Sequence, residues 1–221
     1  MMTYGLIFDM DGVLVDSAEP HWQSWRQLAE EIGRPITRPQ FQATFGRQNQ
    51  DVVPALFGHD DAQTIRRFSD RKEELYRDLI RHAVPAVDGA VELIRACHAA
   101  GFRLAVGSSG PPENVELVVQ GMGIGRYFQT LITAREVTRG KPDPQVFQRA
   151  AGGLALPCGQ CAVVEDAAAG VEAALAAGCA AIALVGTHPA DSLNRAHRVV
   201  TSLRELSPEA IETVIQQAAT A

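Results

Sequence analysis

Six short apolar runs punctuate the chain: YGLIF (4–8), FRLAVG (102–107), TLIT (130–133), CAVV (161–164), AAIALV (180–185) and RVV (198–200). Each is continuous rather than alternating, which is how strands buried on both faces of a parallel sheet read. Between the later runs the apolar positions take a helical spacing. Val115, Val118, Val119 and Met122 give one stripe; Val91, Ile94 and His98 give another, which Asp88 is placed to cap and Gly101 to stop. Asp143-Pro144 reads as the cap and first turn of a helix through Phe147 and Ala151. Gly178 closes a helix that starts near Gly170, and Ser207-Pro208-Glu209 opens a last one. Strand alternating with helix predicts an α/β fold, a doubly wound parallel sheet with right-handed crossovers.

From Ser17 to Val84 the alternation stops. No run there has the continuity of a buried strand, but Trp25, Leu28, Ala29 and Ile32 lie on one helical face. Ile65, Phe68, Leu75 and Leu79 form a second face within a charged stretch from Asp61 to His82. The expected organisation is a smaller all-helical domain, residues 17–84, inserted into an α/β core made of residues 1–16 and 85–221.

Composition narrows the partners. A chain of 221 residues that is 46% hydrophobic can bury a sizeable core, and a net charge of -6 without blocks of like charge argues against binding nucleic acid or an anionic membrane. No apolar run approaches the roughly 20 residues of a membrane span and no leader pattern is visible, so a cytoplasmic protein is expected. The charged helical face offers no association stripe, and a monomer is the default. Cys158-Gly-Gln-Cys161 admits a redox pair, half a zinc site, or a loop whose second cysteine enters a buried strand; Cys97 and Cys179 read as small core residues.

Candidate chemistry comes from the strand ends, because ligands of an open parallel sheet gather outside the carboxyl ends of its strands. The first strand ends in Asp9 and Asp11, the second in Ser108 and Ser109, the fourth in Glu165 and Asp166, and the loop GKPD supplies Lys141. Singly, each has a bland reading as a turn, cap or solvated charge. Together they crowd carboxylates at one edge, which repel unless a cation sits among them, and hard oxygen ligands select Mg²⁺. A lysine and a hydroxyl at a helix start opposite such a cation form a phosphate pocket, with one carboxylate available to attack phosphorus.

These residues also carry a family pattern. Asp9-Met-Asp11-Gly12-Val-Leu-Val-Asp16-Ser17, then Ser108, Lys141 in GKPDP and Glu165-Asp166 in VVEDAAAG resemble the four motifs of the haloacid dehalogenase superfamily of phosphotransferases, in the subgroup with a helical cap between its first two motifs. The resemblance implies that Asp9 is the nucleophile that forms an aspartyl-phosphate and that Asp11, pointing the same way two residues on, is the general acid and base. It implies Mg²⁺ held by the Asp9 carboxylate, the Asp11 carbonyl and Asp166 with Glu165 close by, and Gly12 turning the backbone beneath the phosphate. It makes Val13–Ser17 the hinge into the cap.

Water as the second nucleophile makes a phosphatase, and a sugar hydroxyl makes a phosphomutase. The cap segment is similar to the β-phosphoglucomutase-like branch in placing His21 with Trp25 and Lys72 with Tyr76, which makes His21 and Lys72 candidate substrate contacts beside Gly12 and Ser109. Each has a bland alternative: His21 packing near Trp25, Lys72 solvated on its helix, and the tryptophans forming cap core. The branch's phosphate-clamping arginine falls near Asn49, with Arg47 two residues away as a possible substitute, and Gly110-Pro111-Pro112 follows Ser109 without a lysine. Missing cations at a second phosphate favour a phosphatase for a small phosphorylated metabolite, a sugar phosphate above all, over a mutase. A non-catalytic phosphate-binding protein would need a lesion in the motifs, and carbon–halogen chemistry does not suit Asp11 beside a phosphate-binding lysine.

Overall fold

The computed structural model describes residues 2–44, 47–186 and 188–220, which divide into two compact units. One is made of Met1–Asp16 and Val84–Ala221, the other of Ser17–Ala83. Val84 belongs to the larger unit, one residue earlier than the sequence suggests, because its side chain packs against the bare backbone of Gly121.

The larger unit is built on six parallel strands: β1 (Gly5–Phe8), β2 (Arg103–Gly107), β3 (Phe128–Ile132), β4 (Cys161–Glu165), β5 (Ala180–Leu184) and β6 (Arg198–Val200). They lie in the order β3-β2-β1-β4-β5-β6. All six apolar runs of the sequence are strands, and β1, β4 and β5 are buried along their whole length. The chain moves outward from β1 through β2 to β3, then returns to add β4 on β1's other edge and moves outward again. The winding therefore reverses between β1 and β4, which is where such sheets open a crevice.

Helices cover the sheet. Alternate strand residues Ile7, Ala105, Val163, Ala181 and Ala183 point to one face, where they join Val146, Phe147, Ala150 and Ala151 of α7 (Gln145–Gly153) and Val171, Ala173, Ala174 and Ala177 of α8 (Ala168–Ala177). Helices α5 (Ala90–Ala99) and α9 (Pro208–Ala218) also pack on the strands, and α6 (Pro112–Gly121) follows β2. Three helix starts differ from expectation; in α7 the N-cap is Pro144 and Asp143, one residue earlier, accepts the Gln145 N–H. The N-cap of α5 is Gly89, at φ 84°, and Asp88 instead takes two hydrogen bonds from the Arg204 guanidinium, a bidentate pairing that outcompetes a single capping bond. Its buried face carries Leu93, Ile94 and Cys97, leaving His98 exposed. Helix α8 begins two residues before Gly170, and Gly178 at φ 80° closes it as expected. Ser207 caps α9 through the N–H of Ala210.

The smaller unit is helical: α1 (Ala18–Glu31), α2 (Arg38–Gln42), α3 (Asn49–Phe57) and α4 (Ala62–Ile80). Its core gathers Trp22, Trp25, Leu28, Phe41, Val53, Phe57, Phe68 and Leu75, so the two tryptophans are core residues. Among the described residues no helix is long and apolar enough to cross a membrane.

Candidate active site

Strand register levels the acids. Phe8 pairs with Val106 on one side and Val164 on the other, so Asp9, Gly107 and Glu165 emerge at one height. The Asp9 N–H continues the ladder to the Val164 carbonyl at 3.0 Å. Lys141 closes the group from the loop before α7, its Nζ 2.6 Å from Asp9 Oδ1 and 2.5 Å from Glu165 Oε1, and 4.8 Å over the Phe147 ring. Glu165 Oε2 accepts the N–H groups of Asp166 and Ala167 at 2.9 and 3.0 Å. Asp9, Glu165 and Asp166 each place a carboxylate oxygen within 4.8 Å of the others.

Three buried carboxylates around one ammonium leave an excess of negative charge. Burial pushes the Asp9 carboxyl well above its usual range; Lys141 opposes this, while Glu165, Asp166 and Asp11 add to it. Burial disfavours a charged Lys141, but Asp9 and Glu165 outweigh it and hold the ammonium protonated well above its ordinary pKa. An all-oxygen donor set with surplus charge suits a hard divalent cation.

The turn after β1 explains the motif's glycine. Gly12 sits at φ 75° and donates to the Val15 carbonyl at 2.8 Å, while the N–H groups of Leu14 and Val15 return to the Met10 carbonyl. Val13, Leu14 and Val15 are fully buried. They belong to the core rather than to a linker, and the boundary between the two units falls between Asp16 and Ser17. Ser108 is buried beside this turn, its Oγ accepting the Gly110 N–H at 3.0 Å. A side chain at Gly110 would meet that Oγ at 3.2 Å and Asp11 Oδ2 at 4.0 Å, which places both Ser108 and Asp11 close to Gly110. Ser109 is exposed.

In the smaller unit Lys72 is 2% exposed, which overturns its reading as a solvated charge. Its Nζ donates to His21 Nδ1 at 2.8 Å and to Glu73 Oε1 at 2.9 Å, under the faces of Trp25 and Tyr76. His21 stacks on Tyr76, with ring centroids 4.2 Å apart. Asn49 Nδ2 donates to the same Glu73 oxygen at 2.7 Å. Arg47 is exposed, its N–H bonded to the Thr44 carbonyl.

Three contributors escape a motif reading. Phe147 underlies Lys141. Gly170 leaves the space Glu165 fills, and Gln145 binds the loop that carries Lys141. For Lys72 a signal existed: with Phe68, Leu75 and Tyr76 it completes an i, i+4, i+7, i+8 buried stripe, a charge on an apolar face. Cys161 is a buried strand residue whose thiol is pushed up to about 12 by burial.

The chain matches the haloacid dehalogenase-like hydrolase family over residues 5–178. It belongs to that family. It is similar to the chloroplastic 5-amino-6-(5-phospho-D-ribitylamino)uracil phosphatase of Arabidopsis thaliana, 32% identical over 92% of this chain and 55% of that protein. This hydrolase therefore spans about half the length of that relative. It matches validoxylamine A 7'-phosphate phosphatase of Streptomyces hygroscopicus subsp. limoneus at 31% identity, over 90% of this chain and 94% of the other. Bacillus subtilis β-phosphoglucomutase is 28% identical over 80% of this chain and 81% of its own. Among solved structures, β-phosphoglucomutase from Clostridium difficile superposes with a TM-score of 0.87 over all of both chains at 24% identity, a likeness of fold.

Proposed function

We propose that this family member is a Mg²⁺-dependent phosphatase that hydrolyses a small phosphorylated metabolite, a sugar phosphate by preference, through an aspartyl-phosphate on Asp9. The observation that carries the reading is Lys141 bridging Asp9 and Glu165 at the β1/β4 reversal, with Asp166 in the same cluster.

Asp9, the Asp11 carbonyl and Asp166 would hold the metal. Glu165, whose oxygens are engaged by Lys141 and two backbone N–H groups, orients the cluster. A Mg²⁺ ion bound there would supply the positive charge that neutralises phosphate oxygens facing Asp9. Lys141 and Ser108 bind the remaining phosphate oxygens. An Asp9 oxygen forms a bond to phosphorus while the bond to the leaving alkoxide breaks, and Asp11 supplies the proton that alkoxide needs. Asp11 then takes a proton from the water that attacks the aspartyl-phosphate, releasing inorganic phosphate and restoring Asp9. Free thiols and the acidic balance suit a reducing, cytoplasmic setting.

A sugar phosphomutase would need counter-charge for a second phosphate. Position 49 is an asparagine bonded to Glu73, and the residues after Ser109 carry no cation, which favours water as the acceptor. The test is phosphate release from p-nitrophenyl phosphate and a panel of phosphorylated metabolites, dependent on Mg²⁺ and absent in Asp9→Asn. Conversion of β-glucose 1-phosphate to glucose 6-phosphate with a trace of bisphosphate primer, without phosphate release, would replace the hydrolase by a mutase. Silence on every phosphoester would leave a phosphate-binding protein.

A further inference from the structure

Lys141 must hold a flexible four-carbon side chain against two carboxylates from a loop whose Thr138, Arg139 and Pro142 are exposed. Such a loop is not rigid on its own account. We infer that Gln145 is a positioning residue for Lys141, fixing the loop so that the ammonium meets the cluster. The inference rests on the phosphatase reading of that cluster.

Gln145 stands at the first position of α7, whose inner residues Val146, Phe147, Ala150 and Ala151 are buried in the core. From this anchor its Oε1 accepts the Thr138 N–H at 2.7 Å, the Arg139 N–H at 3.1 Å and the Thr138 hydroxyl at 3.2 Å. Those donors precede Lys141 by two and three residues. On the other side the Gln145 N–H binds Asp143 Oδ1 at 3.0 Å, and the Asp143 N–H returns to the Gly140 carbonyl at 3.0 Å. The loop is therefore tied to one helix turn both before and after the lysine, and that same turn puts Phe147 beneath Nζ. The Arg139–Asp143 ion pair cannot substitute, because its arginine is 70% exposed.

The three contacts use only the acceptor oxygen of Gln145. A glutamate at that position supplies the same oxygen, with a charge that a helix start favours. Leucine keeps the shape and loses the acceptor. Alanine removes the acceptor without adding apolar surface and serves as a second variant.

The sequence offers a direct reporter, since Lys72 and Lys141 are its two lysines and both are largely shielded. Acylation of the full chain by acetic anhydride, read by peptide mass spectrometry, follows Lys141 with Lys72 as internal control. Gln145→Leu and Gln145→Ala are expected to raise Lys141 acylation about tenfold at constant Lys72 labelling, and Gln145→Glu to label as wild type. In phosphate release the same two variants lose about tenfold in kcat with KM little changed, while Gln145→Glu stays within about threefold. Unchanged Lys141 labelling in both variants, a parallel rise at Lys72, or a Gln145→Glu that behaves like Gln145→Leu overturns the inference. If the wild type releases no phosphate, the phosphatase reading fails, and the labelling pattern still decides whether Gln145 holds Lys141.

Discussion

A Cβ on Gly170 would stand 1.9 Å from the Glu165 carboxylate, so the absence of a side chain on the first turn of α8 is what lets Glu165 reach Lys141. The smallest possible substitution here intrudes directly on the acid cluster.

Gly170→Ala is accordingly expected to cost about 1–3 kcal/mol, since neither the buried helix nor the doubly bonded carboxylate can give way freely. Phosphate release should fall at least tenfold, roughly the loss expected when a charged group leaves its catalytic position. Thermal melting and initial rates check both; a variant with wild-type values on each count means that the helix shifts without cost.

Asp9→Asn separates activity from stability. Burial first, then the neighbouring acids, hold the folded Asp9 carboxyl above its ordinary value of 3.8. The fold then binds more protons than the unfolded chain, so this group's contribution is full below that ordinary value and is lost as pH rises through the folded pKa. Without metal, ionising this carboxyl works against the fold. The asparagine variant should be inactive yet more stable than wild type by about 1 kcal/mol in chelator, with a flatter decline of stability above pH 4. Equal or lower stability of the variant in denaturant titrations at pH 7 contradicts this account.

Metal removal gives a complementary result. Chelator should abolish phosphate release and added Mg²⁺ restore it, while saturating Mg²⁺ raises wild-type stability by about 1–3 kcal/mol. That gain should be absent in Asp166→Asn. A metal-independent rate, or an equal gain in both proteins, removes the cation from the carboxylate cluster.

Glu73 supplies a pH effect of opposite sign in the smaller unit. Burial alone would raise its carboxyl, but the Lys72 charge and the Asn49 hydrogen bond prevail and hold it below its ordinary 4.5. Its contribution is present above that value and is lost as pH falls through the depressed folded pKa. Glu73→Gln should cost about 2–4 kcal/mol at pH 7, because it strands the Lys72 ammonium in a buried site, and the two proteins should converge in acid. Urea titrations from pH 3 to 8 measure this; parallel curves at all pH values exclude the pairing as the source.

The strands and the core acids were legible because each announces itself locally. A continuous apolar run ending in Asp9 or in Glu165-Asp166 needs no knowledge of its neighbours. What stayed hidden depends on residues remote in sequence: Phe147 under Lys141, the hollow at Gly170, and the capture of Asp88 by Arg204. Lys72 lies between these cases. Its apolar face was readable, but its partner His21 sits 51 residues away, and Asn49, which binds the neighbouring Glu73, sits 24 residues from that glutamate.

The reversal of winding between β1 and β4 also sets an order of assembly. β1 is synthesised first and can zip onto β2 early, but its other edge waits for residues 161–165. Until then a nascent or truncated chain exposes β1 as an apolar sheet edge, open to pairing with another copy. The strand that completes the acid cluster is thus also the one that covers β1, and the open apolar edge passes outward to β4 until β5 arrives.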